Sequence, residues 1–472
     1  MLVRRFYDDR LAQASYLIGC QQTGEAIVID PARDVAPYLD AAQHEGVRIT
    51  QVTETHIHAD FMSGTRALAA ATGARVLLSG EGGPDWQYAF AAADHAVLLH
   101  DGDVITLGQV RLNVMHTPGH TPEHLAFIVV DGARGPEPVA MVSGDFIFVG
   151  DVGRPDLLET AAGVTGSKEG SARALFRSLQ RLRSLPDYLQ LWPGHGAGSA
   201  CGKALGAVPT STLGYERRTN WAFQIEDEAT FVTAVLDGQP APPRYFAVMK
   251  RVNRDGPPVL GIRKMPPALA GDALSGALRD GTVLDIRPLR AYAAAHVAGT
   301  LNIPVIKAFT KWAGWLLPYD RDLYLIAPDA GTTAAAQIAL ASIGLDRVVG
   351  TFGPELITAA AAAGTARQTQ RVSIDQAATL QNGGTLVVDV RERHEWTAGH
   401  FDGAVHHPLG TLPATLATID RATPLALHCQ GGTRSAIGAS LLETMGFTNV
   451  TDLTGGWQKR ETRDERGDSE GQ

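Results

Sequence analysis

The chain reads as a multidomain α/β protein: a layered N-terminal half that carries a metal-binding cluster, then an α/β unit that occurs twice. Three observations predict this. Over residues 1 to about 245, short apolar runs alternate with turns, and chemically active residues fall on loops directly after those runs. A proline-rich join follows, with Pro240, Pro242, Pro243, Pro257, Pro258, Pro266 and Pro267. Beyond it the sequence repeats itself at a fixed offset. At 472 residues there is room for two to four domains, each with its own core.

In chain order, Ala26–Asp30, Ile49–Thr53, Arg75–Leu78 and Val139–Val142 read as strands. Ser63–Ala71 and Gly170–Arg183 have helical spacing. In the C-terminal part, Leu284-Asp285-Ile286-Arg287 is echoed by Val388-Asp389-Val390-Arg391, and His296-Val297-Ala298-Gly299 by His400-Phe401-Asp402-Gly403, both 104 positions later. Leu323–Leu345 and Leu425–Phe447 then align without a gap at an offset of 102. The expected organisation is a first domain over 1–245, a linker over 246–268, and two repeats over 269–366 and 367–466. Where the second repeat has Cys429 and Arg434, the first has Ala327 and Thr332. The first repeat keeps the scaffold and loses the chemistry.

Composition narrows the function classes. Hydrophobic residues make up 44% and charged residues 19%, as in ordinary globular protein. A formal charge of −9 without a basic block argues against nucleic acid. No apolar run reaches the ~18 residues that span a bilayer. The start, Met1-Leu2-Val3-Arg4-Arg5, lacks the apolar core of a signal peptide. Three cysteines cannot all pair, so no disulfide framework is expected, and a cytoplasmic location is the simplest home.

The segment Thr55-His56-Ile57-His58-Ala59-Asp60-Phe61 brings imidazoles and a carboxylate to one loop after a strand. Further donors follow in His116-Thr117-Pro118-Gly119-His120-Thr121, Ser143-Gly144-Asp145 and Pro193-Gly194-His195-Gly196. One histidine in such a setting is ordinarily a satisfied or solvent-facing imidazole. Four such segments in order point to a divalent metal.

Together they resemble the metallo-β-lactamase fold over residues 1–245. Hydrolytic two-metal members such as glyoxalase II carry a histidine after the motif aspartate, where this chain has Phe61. A phenyl ring cannot ligate, and two-metal hydrolysis needs both ions at ~3.5–4 Å. Two histidines and one carboxylate with open positions suit ferrous iron and dioxygen. The resemblance to persulfide dioxygenases implies one Fe(II) per chain, with zinc as the rival metal, held by His56, His120 and Asp145. It leaves His58, Asp60 and His195 at a vestigial second site, orienting ligands or water through hydrogen bonds. The G-R-x-D arginine of that family is matched by Arg154, as an anion partner for substrate or alternatively one half of a structural ion pair.

The second chemical centre is His428-Cys429-Gln430-Gly431-Gly432-Thr433-Arg434-Ser435. An apolar run ends at Cys429 and a helix-like stretch begins at Ser435. Backbone N–H groups and a helix N-terminus under the sulfur favour the thiolate, which is the nucleophile. Arg434 adds positive charge for an anionic donor or acceptor. Four residues, Gln430, Gly431, Gly432 and Thr433, separate Cys429 from Arg434. Phosphate-transferring cysteine loops are one residue longer, and the smaller ring fits one extra sulfur atom. This matches rhodanese sulfurtransferases, which both repeats resemble across about residues 270–465.

The fold class expected is therefore a metallo-β-lactamase αββα sandwich plus two rhodanese-like α/β domains, the first catalytically inactive. Cys20, at a strand end, reads as a packed core thiol. Cys201 follows the His195 turn, and resemblance to fused persulfide dioxygenase–rhodanese enzymes implies that Cys201, and less so Cys20, meets substrate sulfur. Trp312, Trp315 and Tyr319 read as a contact between domains. The implied activity is oxidation of glutathione or coenzyme A persulfide by O₂ to sulfite, with Cys429 passing sulfane sulfur to or from thiosulfate. The implied partners are those small molecules and a second copy of the chain, without nucleic acid or membrane. Two rivals stand beside it: a zinc thioester hydrolase resembling glyoxalase II with an appended sulfurtransferase, and a sulfide-responsive sulfur carrier.

Overall fold

The computed structural model describes residues 1–160, 166–203, 205–261 and 264–459. The expected end of the second repeat, at 466, and residues 262 and 263 of the expected linker lie outside the described residues. These gather into two compact units that divide near residue 264, with Leu340–Gly344 counted in the first.

The first unit is a sandwich of two six-stranded sheets. One holds, in spatial order, β1 (Leu2–Asp8), β2 (Gln13–Cys20), β3 (Glu25–Ile29), β4 (Arg48–Thr53), β5 (Arg75–Ser79) and β6 (Val97–Leu99). The other contains β7 (Val104–Leu107), β8 (Val110–His116), β9 (Leu125–Asp131), β10 (Pro138–Gly144), β11 (Gln190–Pro193) and β12 (Ser211–Thr212), ordered from β12 back to β7. Alternation in the strands explains the layering. Tyr16, Ile18, Ile27 and Ile29 from the first sheet meet Leu112, Val114, Phe127 and Val142 from the second in a core closed to water.

Helices cover both outer faces. Ala36–Glu45 and Thr65–Thr72 pack on the first sheet through Tyr38, Ala42 and Leu68. Lys168–Arg181 lies on the second, with Ala172, Leu175, Phe176 and Leu179 recurring at helical spacing on its buried stripe. The result is the αββα arrangement. Among the described residues, no helix is long and apolar enough to cross a membrane.

One expectation needs revision here. The stretch expected to start a linker at 246 instead forms a helix, Tyr245–Asp255, in the first unit, with Tyr245, Phe246, Met249 and Asn253 buried. Its prolines stand outside the helix interior, so proline density marked the helix ends and not a flexible join.

The second unit holds two parallel sheets of like topology. β13 (Gly281–Asp285), β14 (Leu301–Asn302), β15 (Asp322–Ile326) and β16 (Val348–Phe352) stand in the order β14-β13-β15-β16. β17 (Gln370–Ser373), β18 (Leu386–Asp389), β19 (Val405–His406), β20 (Leu425–His428) and β21 (Val450–Thr454) stand in the order β17-β21-β20-β18-β19. Removing β17 leaves the same sequence of neighbours, and a parallel bridge from Ala268 to Thr351 supplies its counterpart. The repeated Asp-x-Arg motif has one structural meaning in both copies. Arg287 forks onto Asp285 and reaches Ala295 O, while Arg391 forks onto Asp389 and reaches Gly399 O. The copies also touch. His296 bonds Glu443 at 2.8 Å, Ser440 accepts the Asn302 N–H at 3.0 Å, and the Trp315 ring covers Gly410.

Candidate metal centre and sulfur-transfer loop

Every predicted donor of the first unit sits just past the C-terminal end of a strand. His56 follows β4, His120 follows β8, Asp145 follows β10 and His195 follows β11. Gly144 makes the turn into Asp145 with a left-handed φ of 51°, where a Cβ would lie 2.6 Å from Thr55 Oγ1 and 2.7 Å from His124 Nε2. His56, His120 and Asp145 are at most 2% exposed. One ligand atom from each lies within 4.8 Å of the other two.

The hydrogen-bond network assigns the tautomers. Thr55 Oγ1 donates to Asp30 Oδ2 at 2.9 Å, so it accepts from His56 Nδ1, also 2.9 Å away. His120 Nδ1 donates to the Arg154 carbonyl at 3.0 Å. Both protons are thereby fixed on Nδ1, and both Nε2 lone pairs face Asp145 Oδ2, at 3.8 Å from His56 and 3.5 Å from His120. That carboxylate oxygen is buried without a hydrogen-bond partner. Three acceptors converge with no proton among them, an arrangement that fits a cation and little else.

Electrostatics agrees. Burial, and then the neighbouring His58 charge, push the His56 ring well below the ordinary histidine range, and burial lowers His120. Both shifts favour the neutral ring that ligation requires. Burial pushes Asp145 upward, but His195, His56 and His120 outweigh it and hold the carboxyl well below the usual range.

The second-site residues split into two groups. His195 spans two carboxylates, with Nδ1 on Asp145 Oδ1 at 2.6 Å and Nε2 on Asp60 Oδ2 at 2.7 Å. Burial lowers its pKa and the two carboxylates more than reverse this, so the ring is cationic and orients Asp145. Cys201 joins this pair, with Asp60, His195 and Cys201 donor atoms within 4.8 Å of one another, and burial pushes its thiol well up. His58 instead turns to Asp30, with Nε2 and Oδ1 2.9 Å apart. The Phe61 ring lies 4.3 Å from the His58 ring and is fully buried.

The structure separates the alternatives held open for two residues, and in both the structural one applies. Arg154 does not present a free guanidinium to substrate. It is buried and forked onto Asp156 at 2.7 and 2.8 Å, with a third bond to Ala200 O. Cys20 belongs to the sandwich core at the far end of β2. Gln13 at the near end bridges His195, so Cys20 stands about 23 Å along the strand from the metal cluster.

Four buried residues escaped the sequence reading. Asp30 accepts from Thr55 N–H and Thr55 Oγ1 while pairing with His58, and holds a left-handed φ of 54° to do so. Its only local signal is its place at a strand end. His124 Nε2 accepts the Asp145 N–H at 3.0 Å, and Glu123 accepts the Ile57 N–H at 2.9 Å. Asn253, on the helix that replaced the linker, bonds His58 O, Phe61 O and Ser63 N, thereby fixing both ends of the Phe61 turn.

In the second unit, Cys429 follows β20 and precedes the helix Thr433–Thr444. Gly432, with φ 94°, turns its N–H onto Sγ at 3.0 Å, and Ser435 Oγ lies 3.7 Å away. Gln430 Oε1 accepts from Arg391 at 3.2 Å, which braces the loop. Arg434 is placed differently from expectation. Its two terminal nitrogens bond both oxygens of Glu395, at 2.5 and 2.6 Å. In the first repeat the corresponding turn has Ala327 in place of the thiol, and Asp329 caps Thr332 N at 2.7 Å.

Comparison with known proteins places both halves. The metallo-β-lactamase superfamily matches residues 8–195, and the rhodanese-like domain family matches 373–461. A hydroxyacylglutathione hydrolase of Rhodospirillum rubrum is 32% identical over 181 residues, 38% of this chain and 60% of that protein. One from Polaromonas sp. is 34% identical over 198 residues, 41% of this chain and 66% of that protein. The chain thus spans about two thirds or less of the length of these curated relatives. A crystal structure described as a metallo-β-lactamase from Staphylococcus aureus subsp. aureus COL is 44% identical, with a TM-score of 0.68, and the match covers 75% of this chain and 99% of that one. With near-complete coverage of that structure and a sandwich whose strand ends gather the metal donors, the chain belongs to the metallo-β-lactamase superfamily, and it carries a rhodanese-like domain.

Proposed function

We propose that the chain is a bifunctional sulfur enzyme. Its first unit oxidises a low-molecular-weight thiol persulfide with dioxygen, and its second transfers sulfane sulfur at Cys429. The observation that carries the reading is the acceptor-only triangle of His56 Nε2, His120 Nε2 and Asp145 Oδ2, beside a neighbouring position closed by Phe61. The donors fit one ion on a single face, as in two-histidine, one-carboxylate iron sites. Bound there, ferrous iron supplies the redox chemistry by which persulfide, dioxygen and water give sulfite and free thiol.

The chain's own residues have separable tasks in this reading. Thr55 and the Arg154 carbonyl hold the two imidazoles in the ligating tautomer. His195 fixes the Asp145 carboxylate through its inner oxygen and leaves the outer one free. Phe61 keeps water and a further ion from His58. At the other centre Cys429 accepts a sulfur atom as a persulfide, on a loop whose Gly432 N–H points at the sulfur. Joining the centres in one chain raises the effective concentration of sulfite near the persulfide that consumes it.

A second reading has one observation in its favour: the relatives named hydroxyacylglutathione hydrolase, at 32% and 34% identity. Zinc and thioester hydrolysis would then replace iron and oxygenation. Metal quantification on anaerobically purified protein, with oxygen uptake on glutathione or coenzyme A persulfide, separates the two. One iron per chain and persulfide-dependent uptake are expected. Zinc with thioesterase activity and no uptake overturns the proposal. Cys429→Ser is expected to abolish thiosulfate chemistry and spare oxygen consumption.

A further inference from the structure

The two repeats are an internal comparison of what the fold needs and what the sulfur chemistry needs. The Asp285–Arg287 and Asp389–Arg391 forks occur in both, so that pair belongs to the scaffold. The Glu395–Arg434 fork does not. At the offsets of 104 and 102 its two members correspond to Ala291 and Thr332, so the copy lacking the thiol lacks both charges. Glu395 also takes part in a capping box, its Oε2 accepting the Glu392 N–H at 2.9 Å. The equivalent helix of the first repeat, Leu289–Ala294, has Pro288 at the position of Glu392, with no N–H to donate, so the capping box and the charge pair both belong to the second repeat.

What the pair does follows from its geometry. Both carboxylate oxygens of Glu395 meet both terminal nitrogens of Arg434, and each side chain is 18% exposed. The Arg434 guanidinium at the end of the Cys429 loop is therefore neutralised before a donor arrives. A dianion such as thiosulfate meets a paired cation and a fixed carboxylate. An alkyl persulfide needs less positive charge to approach Sγ.

We propose, resting on the sulfurtransferase reading above, that Glu395 is a specificity-determining residue that withholds Arg434 from dianionic donors and selects alkyl persulfides. In the favoured step the Cys429 thiolate attacks the outer sulfur of R–S–SH. The Sγ–S bond forms, the donor S–S bond breaks, and the thiol R–SH leaves with the proton while Cys429 keeps the persulfide anion. Thiosulfate would undergo the same exchange with sulfite as the leaving group. No net oxidation occurs in either.

The test uses Glu395→Gln in the full chain, which keeps shape and removes charge, with Glu395→Asp as the charge-keeping control. Sulfur transfer to cyanide is measured from thiosulfate and from the persulfide of 2-mercaptoethanol. Glu395→Gln is expected to raise kcat/KM for thiosulfate about tenfold and to change the persulfide value less than about twofold. Glu395→Asp should keep the wild-type ratio. An equal change for both donors, or a fall for thiosulfate alone, overturns the inference. A charge probe needs no turnover: alkylation of Cys429, followed on its peptide, by anionic iodoacetate against neutral iodoacetamide. That ratio should rise about fivefold in Glu395→Gln, and a constant ratio overturns the Glu395 role even in an active enzyme. A wild-type chain that transfers sulfur from neither donor defeats the sulfurtransferase reading itself.

Discussion

Asn253→Ala is expected to weaken the first unit far more than a substitution in an interdomain linker would. The side chain is 1% exposed and makes three hydrogen bonds: Nδ2 to His58 O at 2.8 Å and to Phe61 O at 2.7 Å, and Oδ1 from Ser63 N–H at 3.0 Å. Each is worth about 1 kcal/mol net, and truncation leaves two carbonyls and an N–H buried beside an apolar Cβ. The loss is therefore about 3 kcal/mol, or roughly 6–12 °C in the melting of a unit this size. Because the bonds hold the backbone on either side of Phe61, the metal loop loosens with them. Calorimetry of the full chain should show the first-unit transition falling by that amount, and dialysis should strip metal faster than from wild type. Asn253→Asp should do no better, since it sets a carboxylate against two carbonyl oxygens. A drop below about 1 kcal/mol with metal retention unchanged would refute the reasoning.

Two further outcomes follow from the same loop. Phe61→His restores a donor beside His58, and metal content is expected to rise from about one to about two per chain; unchanged stoichiometry argues against the role given to that ring. His58 is buried, which lowers its pKa, but the Asp30 charge and hydrogen bond reverse this and raise it to about 9. A folded pKa above the unfolded one stabilises fully below about pH 6.5 and is lost as pH rises through about 9, a contribution of about 3 kcal/mol. Denaturant midpoints of metal-free protein should decline across that window, and Asp30→Asn should flatten the decline. A flat wild-type profile would count against the buried pair.

The metal donors were legible because each stands in a short local motif: H-x-H-x-D, the His120 turn, Gly144-Asp145 and Gly194-His195. Each motif has its own short signature, so spacing announces it, although the triangle draws one donor from each of three distant motifs, His56, His120 and Asp145. The repeat was legible for a related reason, since a duplicated scaffold leaves its Asp-x-Arg in both copies. Asn253 acts on residues 190 or more positions away, and nothing in its own neighbourhood hints at that task. Proline density around it suggested a join when it was bracketing a helix. Arg434 shows the converse failure. A sequence shows a cation but not whether the fold has already supplied its anion, here Glu395.

The meeting of three unprotonated acceptors has a consequence outside catalysis. Without a counter-ion, two imidazole lone pairs and a carboxylate oxygen are held together in a dry interior, and their mutual repulsion works against the native state. Occupancy then adds stability in proportion to the logarithm of free metal over its dissociation constant. Abundance of this chain in a cell would consequently track supply of whichever metal it holds, and starvation for that metal would expose the protein to proteolysis as well as idle its chemistry.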